Sequence, residues 1–209
     1  MIRGEPVNLC QRGQVMSNRA FILASASPRR RELLHALGAN FDICPAPIDE
    51  PDHKPDTLAP HAWVLALAYY KARAVADLNP DRWVLGADTV VVCGGHVLGK
   101  PRGLEHARAM LIRQAGHPSD VVTGIAFVRS GVGRSRVFRY AATRIWMRDA
   151  PAIREGYLAS GAWRGKAGAY GLQDVGDKLV AKRAGSWSNV VGLPTEVAEP
   201  VLRSLGLLN

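Results

Sequence analysis

Residues 21–38, FILASASPRRRELLHALG, join a short apolar run to a helix through a Ser-Ala-Ser-Pro turn. Phe21–Ala24 reads as a buried strand. Ser27 is a favoured N-cap and Pro28 a favoured first helical residue. Leu33, Leu34 and Leu37 then repeat at helical spacing, and Gly38 supplies the stop. One feature is out of place: Arg29, Arg30 and Arg31 crowd the end of the helix whose partial charge is already positive.

The strand-turn-helix pattern continues outward. Phe41–Cys44 reads as a second strand, and residues 45–60, PAPIDEPDHKPDTLAP, as an acidic, proline-rich loop. A helix is expected over Pro60–Leu78. Trp83–Ala87 reads as a strand, and TVVVCGGHVLGK after Asp88 as two β runs around a Gly94-Gly95 hairpin turn. A helix over Leu104–Ala115, strands over 120–129 and 135–147 and a helix over Pro151–Ser160 follow. The chain then becomes glycine-dense, with a strand over Lys178–Lys182 and a last helix over Thr195–Leu205. Alternating strands and helices make the class α/β. Residues 1–17 lack periodicity and read as a disordered leader, translation starting at Met1 or Met16, and 18–209 as a single domain.

The 209 residues are 47% hydrophobic and 22% charged, a globular composition long enough for a sizeable core. Lys and Arg number 27 against 18 Asp and Glu, a formal charge of +9. That points to an anionic partner without choosing among nucleotides, nucleic acid and membrane surfaces, and many proteins carry such a charge with no such partner. Cys10, Cys44 and Cys93 form no zinc spacing and no disulfide framework, which suits a reducing, cytoplasmic setting. No apolar run reaches the roughly 18–20 residues of a membrane span.

Candidate chemistry gathers in three places. Arginines beside a strand-turn-helix junction make either a solvated basic patch or a phosphate cradle, because backbone N–H groups, hydroxyls and guanidinium forks all suit phosphate oxygens. Arg29 and Arg30, nearest the turn, are the better placed. In the hairpin, pairing Cys93 with His96 sets Thr89 opposite Lys100, with Asp88 one residue beyond. That is a structural salt bridge, or a carboxylate for a divalent cation or water with an amine for phosphate. Lys71 leaves an otherwise apolar face shared with Val64, Leu67 and Val75, either snorkelling to solvent or entering a cleft. Asp49-Glu50 is solvated or supplies a second carboxylate. In KAGAYGLQD, residues 166–174, the small residues leave room for a flat ligand, and Gln173 is the side chain suited to reading a base edge.

In their order, these pieces resemble the Maf-like family of nucleoside triphosphate pyrophosphatases. The resemblance rests on LASASPRRRELL, IDE at 48–50, LALAYYKARAVA, LGADTVVVCGGHVLGKP, HARAML, TG at 123–124, KAGAYGLQD and SNVVGLP. It implies a mixed, elongated central sheet flanked by helices, with two lobes and a cleft between them. It implies Mg²⁺-dependent hydrolysis (Mn²⁺ or Co²⁺ substituting) of the α–β phosphoanhydride to a nucleoside monophosphate and pyrophosphate. Ser25, Arg29 and Arg30 would cradle phosphate, Glu50 and Lys71 would line the cleft, and Lys100 would bind phosphate. Asp88 would be the catalytic carboxylate, with Glu50 the second metal candidate. Thr89 and Gln173 would discriminate the base, as in the subfamily acting on dTTP, UTP and modified pyrimidine nucleotides. The partner is then a small nucleotide rather than nucleic acid or membrane, with a homodimer open. The chain departs from the pattern at Gly165 before Lys166, at Asp174 after Gln173, and in AGHPSD, which lacks the family's arginine. A non-enzymatic cell-division regulator and a nucleic-acid-binding protein are the alternative readings.

Overall fold

The computed structural model describes residues 20–49, 51, 54–172 and 178–208. The expected leader, Glu50 and Gln173 lie outside the described residues. Strands β1 (Phe21–Leu23), β2 (Phe41–Ile43) and β3 (Trp83–Cys93) run parallel, linked by helices α1 (Pro28–Ala36) and α2 (Pro60–Ala76). The short strand β4 (His96–Leu98) pairs with β3, helix α3 (Leu104–Gln114) follows, and β5 (Pro118–Arg129) and β6 (Ser135–Met147) form the long ribbon. Helix α4 (Pro151–Ala159), strand β7 (Val180–Ala184) and helices α5 (Trp187–Val191) and α6 (Thr195–Ser204) complete the order. The sheet reads β2-β1-β3-β5-β6-β7, with β4 beside β3. It is therefore a mixed sheet: parallel where helices make the crossovers, antiparallel where turns do.

Period-two alternation divides the core. Phe21, Leu23, Leu85, Ile125 and Phe127 face one way with α1 and α6, burying Leu34 and Leu202. Ile22, Ala24, Val84, Ala126 and Val128 face the other way, under Ala68, Ala72 and Ala76 of α2. Farther along the same strands, Val91, Val121 and Ile145 enter a separate cluster with Met110, Leu111, Tyr157 and Trp163. The long strands thus serve two packed bodies, one at each end.

Three sequence expectations need correction. Trp83–Cys93 is one continuous strand rather than two runs broken at Asp88, which pairs in register with Gly124 of β5. A carboxylate fits mid-strand because α2 brings a cation to it. The hairpin pairs Cys93 with His96 as expected, yet pairing ends at Val91–Leu98 and never reaches Thr89 and Lys100. The chain leaves the sheet there, and the N–H of Gly168 donates to the Gly99 carbonyl at 3.0 Å. Helix α5 was hidden among glycines, and the Ser186 hydroxyl caps it by accepting from the Asn189 N–H at 3.0 Å. Cys93 is a free buried thiol and Cys44 is disulfide-bonded, against the expectation of unlinked thiols.

The close fit of α2 on the sheet positions the site. A Cβ on Gly86 would lie 2.1 Å from the Ala68 carbonyl oxygen, and one on Gly124 would lie 2.7 Å from the Val64 carbonyl carbon. Helix and sheet backbones touch at these glycines, leaving no room for a methyl group. Gly86→Ala is expected to destabilise the fold by about 1–3 kcal/mol through overpacking. Gly156→Ala, at an open helical position, should instead stabilise it by roughly 0.5–1 kcal/mol. Urea unfolding midpoints of the two variants check both signs.

Candidate active site

Strand β3 has one edge fully paired with β5 and another edge shared by two partners. Trp83–Leu85 pair with β1 and Val91–Cys93 with β4, so the segment between them has no strand neighbour on that edge. Asp88 and Thr89 lie in this gap. The gap adjoins the carboxyl end of β1, where Ala24 makes its last sheet bond, to the Leu85 carbonyl at 2.8 Å, and the chain turns into α1. Open α/β sheets place ligands in such crevices at strand ends.

A cleft of about 550 Å³ opens there. Of the residues selected from sequence, Ser25, Arg29, Arg30, Lys71, Asp88, Thr89 and Lys100 all line it. Glu50 and Gln173 lie outside the described residues. The glycine-rich loop adds Arg164, Lys166 and Tyr170, none of which sequence reasoning selected. The available signal was a lysine between left-handed glycines, Gly165 and Gly168, both at positive φ. Among the described lining residues, Asp88 is the sole carboxylate, facing six Arg and Lys side chains.

Lys71 Nζ lies 2.6 Å from Asp88 Oδ1, with side-chain exposures of 8% and 9%. Lys71 thus enters the cleft instead of snorkelling, and Asp88 pairs with it rather than with Lys100. Among the described residues, no side chain donates to Asp88 Oδ2. Breaking one member of a buried pair leaves an uncompensated charge, so the two residues stand or fall together.

Arg30 is held on three sides. Nε donates to the Gly192 carbonyl at 2.8 Å, Nη1 to Ser25 Oγ at 3.1 Å and Nη2 to Thr89 Oγ1 at 3.3 Å. Thr123 gives its one proton to the Asn189 carbonyl at 3.0 Å, so the 2.9 Å contact between the threonines must be Thr89 donating to Thr123. The Thr89 hydroxyl, expected to discriminate bases, is thereby occupied in fixing Arg30. Gly192 sits at φ 120°, a region that favours glycine, and presents its carbonyl to Arg30. Arg29 Nη2 donates to the Gly165 carbonyl at 3.2 Å, tying α1 to the glycine-rich loop.

The opening of α1 suits an anion. Ser27 occupies the N-cap position but its side chain makes no capping bond, and no acid lies in the first turn. The first-turn N–H groups and two anchored guanidinium groups therefore face the same space. The Tyr170 hydroxyl is buried in the cluster with Tyr157 and Trp163, and among the described residues it has no hydrogen-bond partner. Burial, with Tyr157 nearby, pushes that phenol above the usual tyrosine range. The arrangement can neutralise a chain of phosphates and place one carboxylate oxygen beside it.

A family model described as Maf-like protein matches residues 20–205. A dTTP/UTP pyrophosphatase of Moorella thermoacetica is 48% identical over 187 residues, covering 89% of this chain and 95% of that protein. One of Myxococcus xanthus is 45% identical over 190 residues, covering 89% and 92%. Among solved structures, a HAM1 protein from Coxiella burnetii aligns with a TM-score of 0.46 at 14% identity, over 62% of this chain and 73% of that one.

The buried pair yields a stability prediction. Lys71→Met alone is expected to cost about 3–5 kcal/mol, because it strands the Asp88 charge. Adding Asp88→Asn to Lys71→Met should recover most of that loss. Urea midpoints of the single and double variants check it; additive losses would show that the two side chains are not coupled.

Proposed function

The chain belongs to the Maf-like protein family, and from that premise we propose that it hydrolyses the α–β phosphoanhydride of nucleoside triphosphates to a nucleoside monophosphate and pyrophosphate. The substrates are dTTP, UTP and modified pyrimidine nucleotides, and the setting is the cytoplasmic nucleotide pool. One observation carries the reading: a single described carboxylate, Asp88, faces six cationic side chains across one cleft. A nucleotide triphosphate is the anion that suits these cations. A regulator of cell division needs no such cleft, and a nucleic-acid-binding face needs cations spread along an extended surface.

Phosphoanhydride hydrolysis needs neutralised oxygens and an aligned water more than covalent chemistry. Arg30, locked by Ser25, Thr89 and Gly192, and Arg29, tied to Gly165, hold phosphate oxygens at the start of α1. Lys100 and Lys166, on the opposite wall, meet the charge that develops on the leaving pyrophosphate. Lys71 fixes Asp88 through Oδ1, and the Asp88 carboxylate orients the attacking water. Gln173 reads the base.

A divalent metal, Mg²⁺ with Mn²⁺ or Co²⁺ as substitutes, fits these residues. Among the described residues no group of three or more His, Cys, Asp or Glu forms a closed protein cage. Mg²⁺ instead takes one or two carboxylates and completes its shell with phosphates and water. Asp88, through Oδ2, and Glu50 would hold it, and when bound it would supply further charge neutralisation at the phosphates. No helix among the described residues is long and apolar enough to cross a membrane.

A panel of NTPs, dNTPs and modified nucleotides, scored by pyrophosphate release with Mg²⁺, Mn²⁺ or Co²⁺, tests the assignment. Asp88→Asn is expected to lower kcat by roughly 10²–10⁴-fold while circular dichroism shows a folded chain; near-normal release by that variant refutes its role. Gln173→Ala should flatten the kcat/KM ranking between pyrimidine and purine triphosphates. An unchanged ranking removes Gln173 from base selection.

A further inference from the structure

Helix α2 has a second charged face, away from the cleft. His61, Tyr69 and Arg73 lie eight and four residues apart on α2 and so share one stripe. On β6, Tyr140, Phe138 and Arg136 alternate onto the sheet face beneath it. The two rows form a ladder: His61 stacks on Tyr140 at 5.1 Å, and Tyr69 meets Phe138 edge-on at 5.6 Å. The next rung sets Arg73 against Arg136. Both guanidinium groups reach the Tyr69 hydroxyl, Arg73 at 3.3 Å. Arg73 foremost, with Arg136, holds that phenol below the usual tyrosine range although burial opposes the shift.

Like charges facing each other across packed elements are unfavourable, and the β5–β6 hairpin increases the crowding. Its register pairs Val128 with Arg136 and Arg129 with Ser135, bringing Arg129 and Arg134 to the same rim. Arg129 Nη2 donates to the Gly133 carbonyl at 3.1 Å, while its Nε is buried with no hydrogen-bond partner. Asp77 balances Arg73 alone, at 2.6 Å. Among the described residues, Arg129, Arg134 and Arg136 have no carboxylate partner. Together with Tyr69 and Arg73 they line a concave pocket of about 480 Å³.

We infer that this pocket is a second anion site, separate from the cleft, which takes a small phosphate-class polyanion such as pyrophosphate. Four guanidinium forks supply the paired donors that phosphate oxygens match best. The compact concave shape favours a small polyanion over a nucleic-acid strand, which needs a basic track with stacking faces along it. Lys71 lies two residues from both Tyr69 and Arg73 and so points the opposite way around the helix. One helix thus lends a side to each anion site. The inference does not rest on the activity proposed for the cleft.

Calorimetric titration of the full chain with pyrophosphate tests it. The Arg29→Ala/Arg30→Ala variant, impaired in the cleft, is expected to keep one binding event. Adding Arg134→Ala/Arg136→Ala should weaken that event about ten-fold or more. Arg134→Ala/Arg136→Ala alone should leave nucleotide turnover at the wild-type rate, showing an intact fold and cleft. The inference is overturned if the cleft variant binds no pyrophosphate, or if its binding ignores Arg134 and Arg136. Equal competition by sulfate at the same concentration means an adventitious ion only. Tighter binding of a single-stranded oligonucleotide through the same arginines replaces the small anion with a nucleic-acid backbone. Pyrophosphate binding here without nucleotide hydrolysis in the wild type would refute the cleft's proposed activity and leave this site standing.

Discussion

The ion pair between Lys71 and Asp88 is the contact on which the cleft depends. Two charges have left water, and their 2.6 Å approach inside the fold offsets desolvation of both. That approach requires α2 to lie against β3 and β5 at backbone distance, which Gly86 and Gly124 permit together with Ala68 and Ala72. The reactive carboxylate is therefore positioned by packing on the far side of the sheet from α1. A change at Gly86, which carries no functional group, acts on the chemistry through this contact.

A second constraint is the split edge of β3. Its partners β1 and β4 leave a stretch of the strand uncovered, and the cleft occupies that interruption. The loops that close over it come from distant parts of the chain: the Ser25–Ser27 turn, the Gly165–Tyr170 loop and the Val191–Gly192 end of α5. Arg29 and Arg30 join them by donating to the Gly165 and Gly192 carbonyls. The arginines that suit phosphate also hold the walls in place, so the electrostatic penalty of cations at a helix start is partly met by backbone acceptors.

Much of this was legible in the sequence because it is local. The strand-turn-helix at 21–38 carries its own proline and leucine spacing, and Gly94-Gly95 marks its own hairpin. Thus Arg29, Arg30, Asp88 and Lys100 could be selected one by one and all line the cleft. What was not legible depends on long-range contact. No periodicity indicates that Lys71 reaches Asp88 rather than solvent, or that Thr123 and Arg30 occupy the hydroxyl of Thr89. Lys166 and helix α5 were obscured because glycine-dense segments carry no period, and tertiary bonds such as Gly168 to Gly99 determine their course. The arginines of the second pocket gave no signal at all, being separated in sequence and brought together only by β5–β6 register.

The charge of +9 is thus not spread evenly. Part of it converges on a cleft with one described carboxylate, and part gathers at the far end of the α2–β6 ladder. The central claim concerns the first: the cleft cuts between the α- and β-phosphates. Phosphorus NMR of UTP during turnover by the wild-type chain tests it most directly. The account predicts UMP and pyrophosphate appearing together in equal amounts, with no UDP at any time. Accumulation of UDP and orthophosphate would contradict it.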